Sequence, residues 1–332
     1  MKHANVSLFV PHLGCPHQCS FCNQRSISGK TQPLKPEDVT EAANIAIKSG
    51  TSPENSEIAF FGGSFTAIEP EYMISLLEAA KPFTDAGYFS GVRISTRPDA
   101  ITQDILNILK RYSVTSIELG AQSMDERVLM LNRRGHTPLD VVNASRLIKE
   151  NGFSLGLQMM TGLYGDTDAG CVETAEKLAA LSPDTMRIYP TVVLEDTPLA
   201  GLYRSGEYTA QTLGEAVSLC SRLLLMFHQA HIRVIRLGLH SGGNVEQGYI
   251  AGAYHPAFRE LCESRIYLAA ALSLLEGADT DKRYTILVPG TEISKMVGQK
   301  RENLNTLTEK GYLCTVRACA ACDVYKPEII IQ

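Results

Sequence analysis

Cys15-Pro-His-Gln-Cys19-Ser-Phe-Cys22 places three thiols within eight residues. Thiolates are the protein ligands of iron–sulfur clusters. Three of them on one short loop bind three irons of a cubane and leave the fourth without a protein ligand, and an iron with an open position is a reactive one. A structural zinc loop would use four ligands, most often as two Cys-x2-Cys pairs, and no fourth ligand stands in register here. The spacing therefore favours a [4Fe-4S] cluster, with Cys15, Cys19 and Cys22 as metal ligands and catalytic centre. A second group, Cys314, Cys319 and Cys322, also spans few residues. It reads either as ligands of a further metal or as ordinary reduced thiols, with reversible disulfide chemistry as a minor option. Cys171, Cys220 and Cys262 stand alone and read as small core residues.

Other chemistry-bearing residues fall at regular intervals. Gly62, Gly63 and Ser64 follow the apolar run Ile58–Phe61, and paired glycines let a backbone approach a ligand closely. Ser95-Thr96-Arg97-Pro98-Asp99 closes the next β-type run, and Glu118 to Ser123, with Gln122, closes the one after it; Gln158 lies on a fifth. An Arg–Glu ion pair that merely closes the fold is the alternative account of Arg97 and Glu118.

The elements that must carry these residues alternate between strand and helix. Short β-type runs at Leu8–Val10, Ile58–Phe61, Val92–Ser95, Ser116–Leu119, Leu155–Met159 and Thr185–Ile188 are separated by segments with helical spacing, such as Pro36–Lys48. Repeated βα units predict an α/β fold with a parallel sheet curled into a barrel or part-barrel, active-site residues at the strands' C-terminal ends. Val234–Leu237 offers a seventh strand. Thr212 and Glu215 form a capping box for a long helix with Cys220, Leu223, Leu224 and Phe227 as its buried stripe. Beyond Gly277 the pattern is strand, helices, then two strands. The expected organisation is a core over residues 1–240 and, over 241–332, a helical extension with a small C-terminal α+β domain.

The totals bound the function. With 332 residues, a net charge of −5 and 44% hydrophobic residues, the chain has ample core and no global basic footprint. RNA contact would need a local patch, for which Arg133, Arg134 and His136, and Lys295, Lys300, Arg301 and Lys310, are the candidates; a solvated helix face has the same look. No segment approaches the roughly 18 apolar residues of a membrane span. The expected setting is the cytoplasm, where nine cysteines stay reduced.

Taken together, these segments resemble the radical SAM superfamily. The resemblance implies a partial (β/α)6 barrel whose open iron chelates S-adenosyl-L-methionine (SAM). By that resemblance Phe21 lies near the adenine and the backbone of Gly62, Gly63 and Ser64 binds the SAM amino group. Ser95, Arg97, Glu118, Gln122 and Gln158 then serve the ribose and sulfonium. The segments 62–66, 95–99, 118–123, 133–137, 161–167 and 187–191 also run in the order found in the radical SAM half of the Elongator catalytic subunit, which modifies wobble uridine in tRNA. The resemblance covers about residues 5–240. Too few residues follow for that family's acetyltransferase domain, so no acetyl-CoA site is assigned. An RNA substrate (tRNA) and a reductant such as flavodoxin or ferredoxin are the implied partners. The coproporphyrinogen oxidase branch, with relatives that carry haem, shares the core; His240 and His255 are the residues such a reading would use. A peptide- or protein-modifying enzyme is the remaining alternative.

Overall fold

The computed structural model describes residues 4–10, 18–23, 32–239 and 243–331; Cys15 and His240 lie outside the described residues. Six strands, β1 (Ala4–Val10), β2 (Ser56–Gly62), β3 (Val92–Thr96), β4 (Val114–Gln122), β5 (Ser154–Thr161) and β6 (Thr185–Pro190), pair in sequence order. The short β7 (Val192–Leu194) turns away, and β8 (Arg233–Leu237) completes an all-parallel sheet of seven. The six expected strands and the seventh are therefore all present, curled into a partial barrel.

Helices fill the crossovers: α1 (Pro36–Lys48), α2 (Pro70–Asp85), α3 (Gln103–Arg111), α4 (Glu126–Leu131), α5 (Pro138–Glu150), α6 (Asp168–Ala180), α7 (Pro198–Ser205) and α8 (Leu213–Gln229). Their starts follow capping chemistry. Thr137 with Asp140 and Thr212 with Glu215 form reciprocal capping boxes for α5 and α8, satisfying backbone N–H groups that have no partner within the helix.

Strand alternation decides what the barrel contains. On β4, Ile117, Leu119 and Ala121 are buried in the apolar core shared with the helices, whereas Ser116 and Glu118 take polar partners across the barrel, Glu57 on β2 and Gln158 on β5. The same period puts Arg93 on β3, Gln158 on β5 and Arg187 on β6 into that polar interior. Glycine makes the room. A Cβ at Gly156 would lie 2.7 Å from the Glu118 side chain, and one at Gly62 (φ +112°) would lie 2.5 Å from the Val10 carbonyl oxygen.

Past β8 come α9 (Gly243–Gly248), β9 (Tyr249–Gly252), which pairs antiparallel with β7, and α10 (Phe258–Leu275). The C-terminal part is a three-stranded sheet in the order β11-β10-β12, built from β10 (Arg283–Val288), β11 (Leu313–Ala318) and β12 (Glu328–Ile331), with α11 (Ile293–Val297) and α12 (Glu302–Glu309) before β11. The chain breaks between α11 and α12 at Gly298–Arg301, where Lys300 and Arg301 take left-handed φ values, so the expected helices are two. Helix α10 joins this sheet to the barrel: the Ser221 hydroxyl on α8 donates to the Cys262 carbonyl, and Asn303 on α12 donates to Ser264. The apolar core runs unbroken across the junction. Among the described residues, no helix is long and apolar enough to cross a membrane.

Candidate functional site

The loop after β1 is held by chain that lies far away in sequence. Ser20 is buried; its amide donates to the Asn132 carbonyl (3.1 Å), its hydroxyl to Asn132 Oδ1 (2.7 Å), and its own carbonyl accepts from the Leu199 amide (2.8 Å). Asn23 Nδ2 donates to the Glu195 carbonyl at 3.1 Å. Phe21 packs on a small cluster containing Val193, Leu199, Ala200 and Tyr208. Cys19 is buried and Cys22 half-buried, and the Cys22 amide closes a turn onto the Cys19 carbonyl. These contacts seat the two thiols at the C-terminal ends of the barrel strands, where the fold class puts its chemistry.

Arg134 reaches the same place from the α4–α5 turn. Its Nη1 donates to Cys19 Sγ at 3.1 Å and its Nη2 to the Gly120 carbonyl at 2.6 Å, while Nε is buried without an acceptor. Arg133 and Gly135, at φ +54° and +69°, make the chain zigzag. Arg134 and His136 are thereby turned inward and Arg133 outward, so the expected surface cluster of all three is corrected to one exposed arginine. Burial first, and then the Arg134 charge, hold His136 well below its ordinary range, at a pKa of about 4. The ring is neutral, and its Nε2 lies 3.2 Å from the Ala121 carbonyl, which a protonated nitrogen suits.

The Gly-Gly turn is tied to β1 and to the end of β3. The Gly63 amide donates to the Val10 carbonyl at 3.0 Å. The Ser64 hydroxyl lies 2.8 Å from Thr96 Oγ1 and accepts from the Arg97 amide at 3.1 Å; Thr66 Oγ1 lies 2.6 Å from the same Thr96 oxygen. The Arg97 guanidinium forks onto Asp99, at 2.9 and 2.8 Å.

Deeper in the barrel, Glu118 is fully buried and accepts from Arg93 Nη1 (3.1 Å), Arg187 Nη2 (2.8 Å) and Gln158 Nε2 (2.8 Å). Gln158 Nε2 also points to Ser95 Oγ at 3.4 Å, and Arg93 pairs with Glu57 at 2.7 Å. The Arg187 guanidinium lies 5.1 Å from the Phe61 ring centroid. Ser95, Glu118 and Gln158 thus form one hydrogen-bonded set, Ser64 and Arg97 another. The ion pair foreseen between Arg97 and Glu118 is replaced by Arg97–Asp99 and by Arg93–Glu118–Arg187. Gln122 ends β4 at φ +65°, beside an irregularity in the β4–β5 register, with its Oε1 buried and unpartnered. Such a conformation is sparsely populated and concentrates at functional sites.

A cleft of about 450 Å³ opens beside Tyr164 and Tyr208, lined by Gly162–Asp168 and Glu207–Gln211. Both tyrosines belong to the cluster against which Phe21 packs.

Elsewhere the expectations fare differently. Cys319 stands close enough to Cys322 to push that thiol up, but Cys314 sits on β11 opposite Tyr284. Among the described residues no three metal-ligating side chains converge, so the spacing 314/319/322 does not form a three-thiol site there. A strand sets Cys314 apart from the turn that carries the other two. Lys295 bridges Glu263 and Glu292, leaving Lys300, Arg301 and Lys310 as the exposed cations of that group. His255 Nδ1 accepts from the Ala257 amide. Cys171, Cys220 and Cys262 are buried in the core as expected.

Comparison with known proteins gives a consistent picture. Residues 9–178 match the Radical SAM superfamily, and residues 183–267 match the Radical_SAM C-terminal domain. An uncharacterised protein of Methanocaldococcus jannaschii is 30% identical over 221 residues, which are 62% of this chain and 67% of that protein. The tRNA uridine(34) acetyltransferase of Methanocaldococcus infernus is 28% identical over 198 residues (52% of this chain, 36% of the relative). Elongator complex protein 3 of Homo sapiens is 29% identical over 200 residues (53% and 36%). The aligned part is thus little more than a third of the length of these last two relatives. Among solved structures, Methanocaldococcus infernus Elp3 with an N-terminal deletion superposes with a TM-score of 0.65 at 20% identity, over 80% of this chain and 63% of that one. Streptococcus suis SuiB gives 0.52 at 12% identity, over 74% and 51%. Both superpositions speak to the barrel fold alone.

Proposed function

Because the chain belongs to the radical SAM superfamily, we propose that it reductively cleaves SAM at a [4Fe-4S] cluster held by Cys15, Cys19 and Cys22 and uses the resulting radical to modify an RNA, with tRNA as the substrate class. The observation that carries this reading is the seating of Cys19 and Cys22 at the barrel mouth with a buried guanidinium against the Cys19 sulfur. That donor set suits a thiolate-ligated cluster: soft sulfur ligands beside a cation with no carboxylate of its own among the described residues. When bound, the cluster supplies the electron that splits SAM into methionine and a 5'-deoxyadenosyl radical.

The chain's own residues then bind and orient. The backbone of Gly62, Gly63 and Ser64, fixed to Val10 and Thr96, takes the SAM amino group. Phe21 lies against the adenine. Ser95 and Gln158 face the ribose, with Glu118 holding the Gln158 amide through Nε2 so that its oxygen is turned to accept a hydroxyl. Arg97 and Gln122 would complete the set that serves the ribose and sulfonium. Support for RNA comes from the relatives named as a tRNA uridine(34) acetyltransferase and as Elongator complex protein 3. The local basic residues left exposed, Arg133, Lys300, Arg301 and Lys310, are the ones available to a phosphate backbone.

Anaerobic reconstitution tests the first half: the protein should bind about four irons and release 5'-deoxyadenosine from SAM under dithionite. Changing Cys15, Cys19 and Cys22 together to alanine should abolish both, and SAM cleavage that survived this change would sink the assignment. Nucleoside mass spectra of a deletion strain against its parent test the second half. A lost modified nucleoside supports RNA; unchanged nucleosides alongside an altered proteome would overturn it in favour of a peptide substrate.

A further inference from the structure

We propose that Arg236 and Tyr189 form a phosphate-binding subsite in the barrel interior, which seats the substrate nucleotide beside the SAM pocket. This rests on RNA as the proposed substrate class and names the group by which the nucleotide is held.

A bulge in β8 gives Arg236 its place. Thr185 pairs with Arg233 and Met186 with Val234, but Arg187 then pairs with Arg236, because β8 carries one extra residue at Ile235. In an unbroken register Ile235 would stand opposite Arg187. Bulges re-aim side chains and are frequent beside active sites. The next pair, Ile188 with Leu237, is buried in the apolar core, so Arg187 and Arg236 share the opposite, interior face. The bulge thus exchanges an apolar neighbour for a like charge directly across the ladder, which is destabilising.

The two arginines differ in what compensates them. Arg187 has Glu118, whose other partners are Arg93 and Gln158. Arg236 is half-buried, its Nε donates to the Gly238 carbonyl at 2.9 Å, and among the described residues it has no carboxylate. The charged groups that act on it are Tyr189, Arg187 and Arg259, and Arg259 already has Glu263 at 2.9 Å. Its Nη groups are left for an anion that the described chain does not supply.

Tyr189 stands two residues beyond Arg187 on the same face of β6. It is half-buried as well, and Arg187, Glu118 and Arg236 act on its phenol. A guanidinium fork with a phenol hydroxyl beside it suits a phosphate, and phosphate is the anionic part of a nucleotide. The site also borders the SAM turn: the Arg187 guanidinium lies 5.1 Å from the ring of Phe61, the residue before Gly62.

Equilibrium dialysis of full-length protein with radiolabelled inorganic phosphate, with acetate as a carboxylate competitor, is the test. Wild type should bind phosphate saturably, and acetate should compete only weakly. Arg236→Gln relieves the like-charge pair, so it should fold, and it should bind phosphate about tenfold more weakly. Tyr189→Phe should lose about threefold. Wild type that binds no phosphate, or Arg236→Gln with wild-type affinity, would overturn the proposal. So would an Arg236→Gln protein that does not fold, which would make the arginine structural. Acetate that displaces phosphate at equal concentration would overturn phosphate in favour of a carboxylate. SAM affinity of the reconstituted variants should match wild type; a parallel loss would assign the pair to the cofactor instead. The RNA reading fails separately, since unchanged nucleosides in the deletion strain would remove that substrate class without altering what dialysis reports for Arg236.

Discussion

Two regions of this chain combine cysteines with buried ionic groups, and their charge balances are opposite. In the C-terminal region, Arg259 and Lys295 face Glu263 and Glu292, two cations against two carboxylates, with Tyr325 and Tyr267 donating to the same carboxylates. The nearby Cys322 thiol is pushed up by the neighbouring Cys319 thiol, by burial, and by Glu328 and Asp323. In the barrel, Arg93, Arg97, Arg134, Arg187 and Arg236 stand against Glu57, Asp99 and Glu118. Arg236 is pulled below its ordinary range by burial, with Arg187 and Arg259 adding to the cost, and its Nε donates to the Gly238 carbonyl. A balanced cluster is complete as it stands and acts as structure. Among the described residues the barrel set holds five arginines against three carboxylates, and positive charge beside a thiol favours its ionised form.

The sharpest way to break this contrast is at the centre of the barrel network. Glu118→Ala leaves the buried Arg187 guanidinium without its carboxylate, while Arg93 keeps Glu57, and should cost about 3–5 kcal/mol, read from denaturant unfolding of the apo protein. Glu292→Ala should cost less, about 1–3 kcal/mol, because Lys295 keeps Glu263 and is partly solvated. Equal losses would mean that the two clusters do the same job.

The next effect is a pH dependence confined to the mouth. Neutral His136 in the native state, with a pKa of about 4 against 6.5 unfolded, binds no proton in a window where the unfolded chain does. Stability should therefore be full above pH 6.5 and fall by about 3 kcal/mol as pH drops toward 4. The charged groups facing the ring are Arg134, Arg97 and Asp99. The Asp99 pKa is lowered from 3.8, so its own titration lies beneath this window. His136→Gln should flatten the slope between those limits; an unchanged slope would place the ring's charge elsewhere.

Smallest of all, the double change Cys319→Ala with Cys322→Ala should leave the iron content of reconstituted protein as it was and alter stability by about 1 kcal/mol. Iron lost from this variant would restore a second metal site and undo the contrast.

Much of this architecture could be read from residue order, because βα alternation and strand-end glycines are local signals. The cysteine loop, the Gly62–Gly63 turn and all seven barrel strands fall within that reach. The pairings were not legible. Arg93, Glu118 and Arg187 are 25 and 69 residues apart, and no local period reports which arginine a glutamate meets across a barrel. Arg134 was disguised by its neighbours: in sequence Arg-Arg-Gly-His reads as a basic surface, and only the left-handed turns at Arg133 and Gly135 show that alternate side chains go to opposite sides.

The seat of the cysteine loop also sets an order of events during synthesis. Ser20 is anchored by Asn132, 112 residues further on, and Asn23 by Glu195, 172 residues further on. The thiols therefore leave the ribosome well before the chain that will hold them. At about 5–20 residues per second, that gap is roughly ten to thirty seconds, during which Cys19 has neither its arginine nor its docking surface. On the proposed cluster site, metal insertion falls late in maturation, after β6 has joined the sheet and β7 has formed beside it.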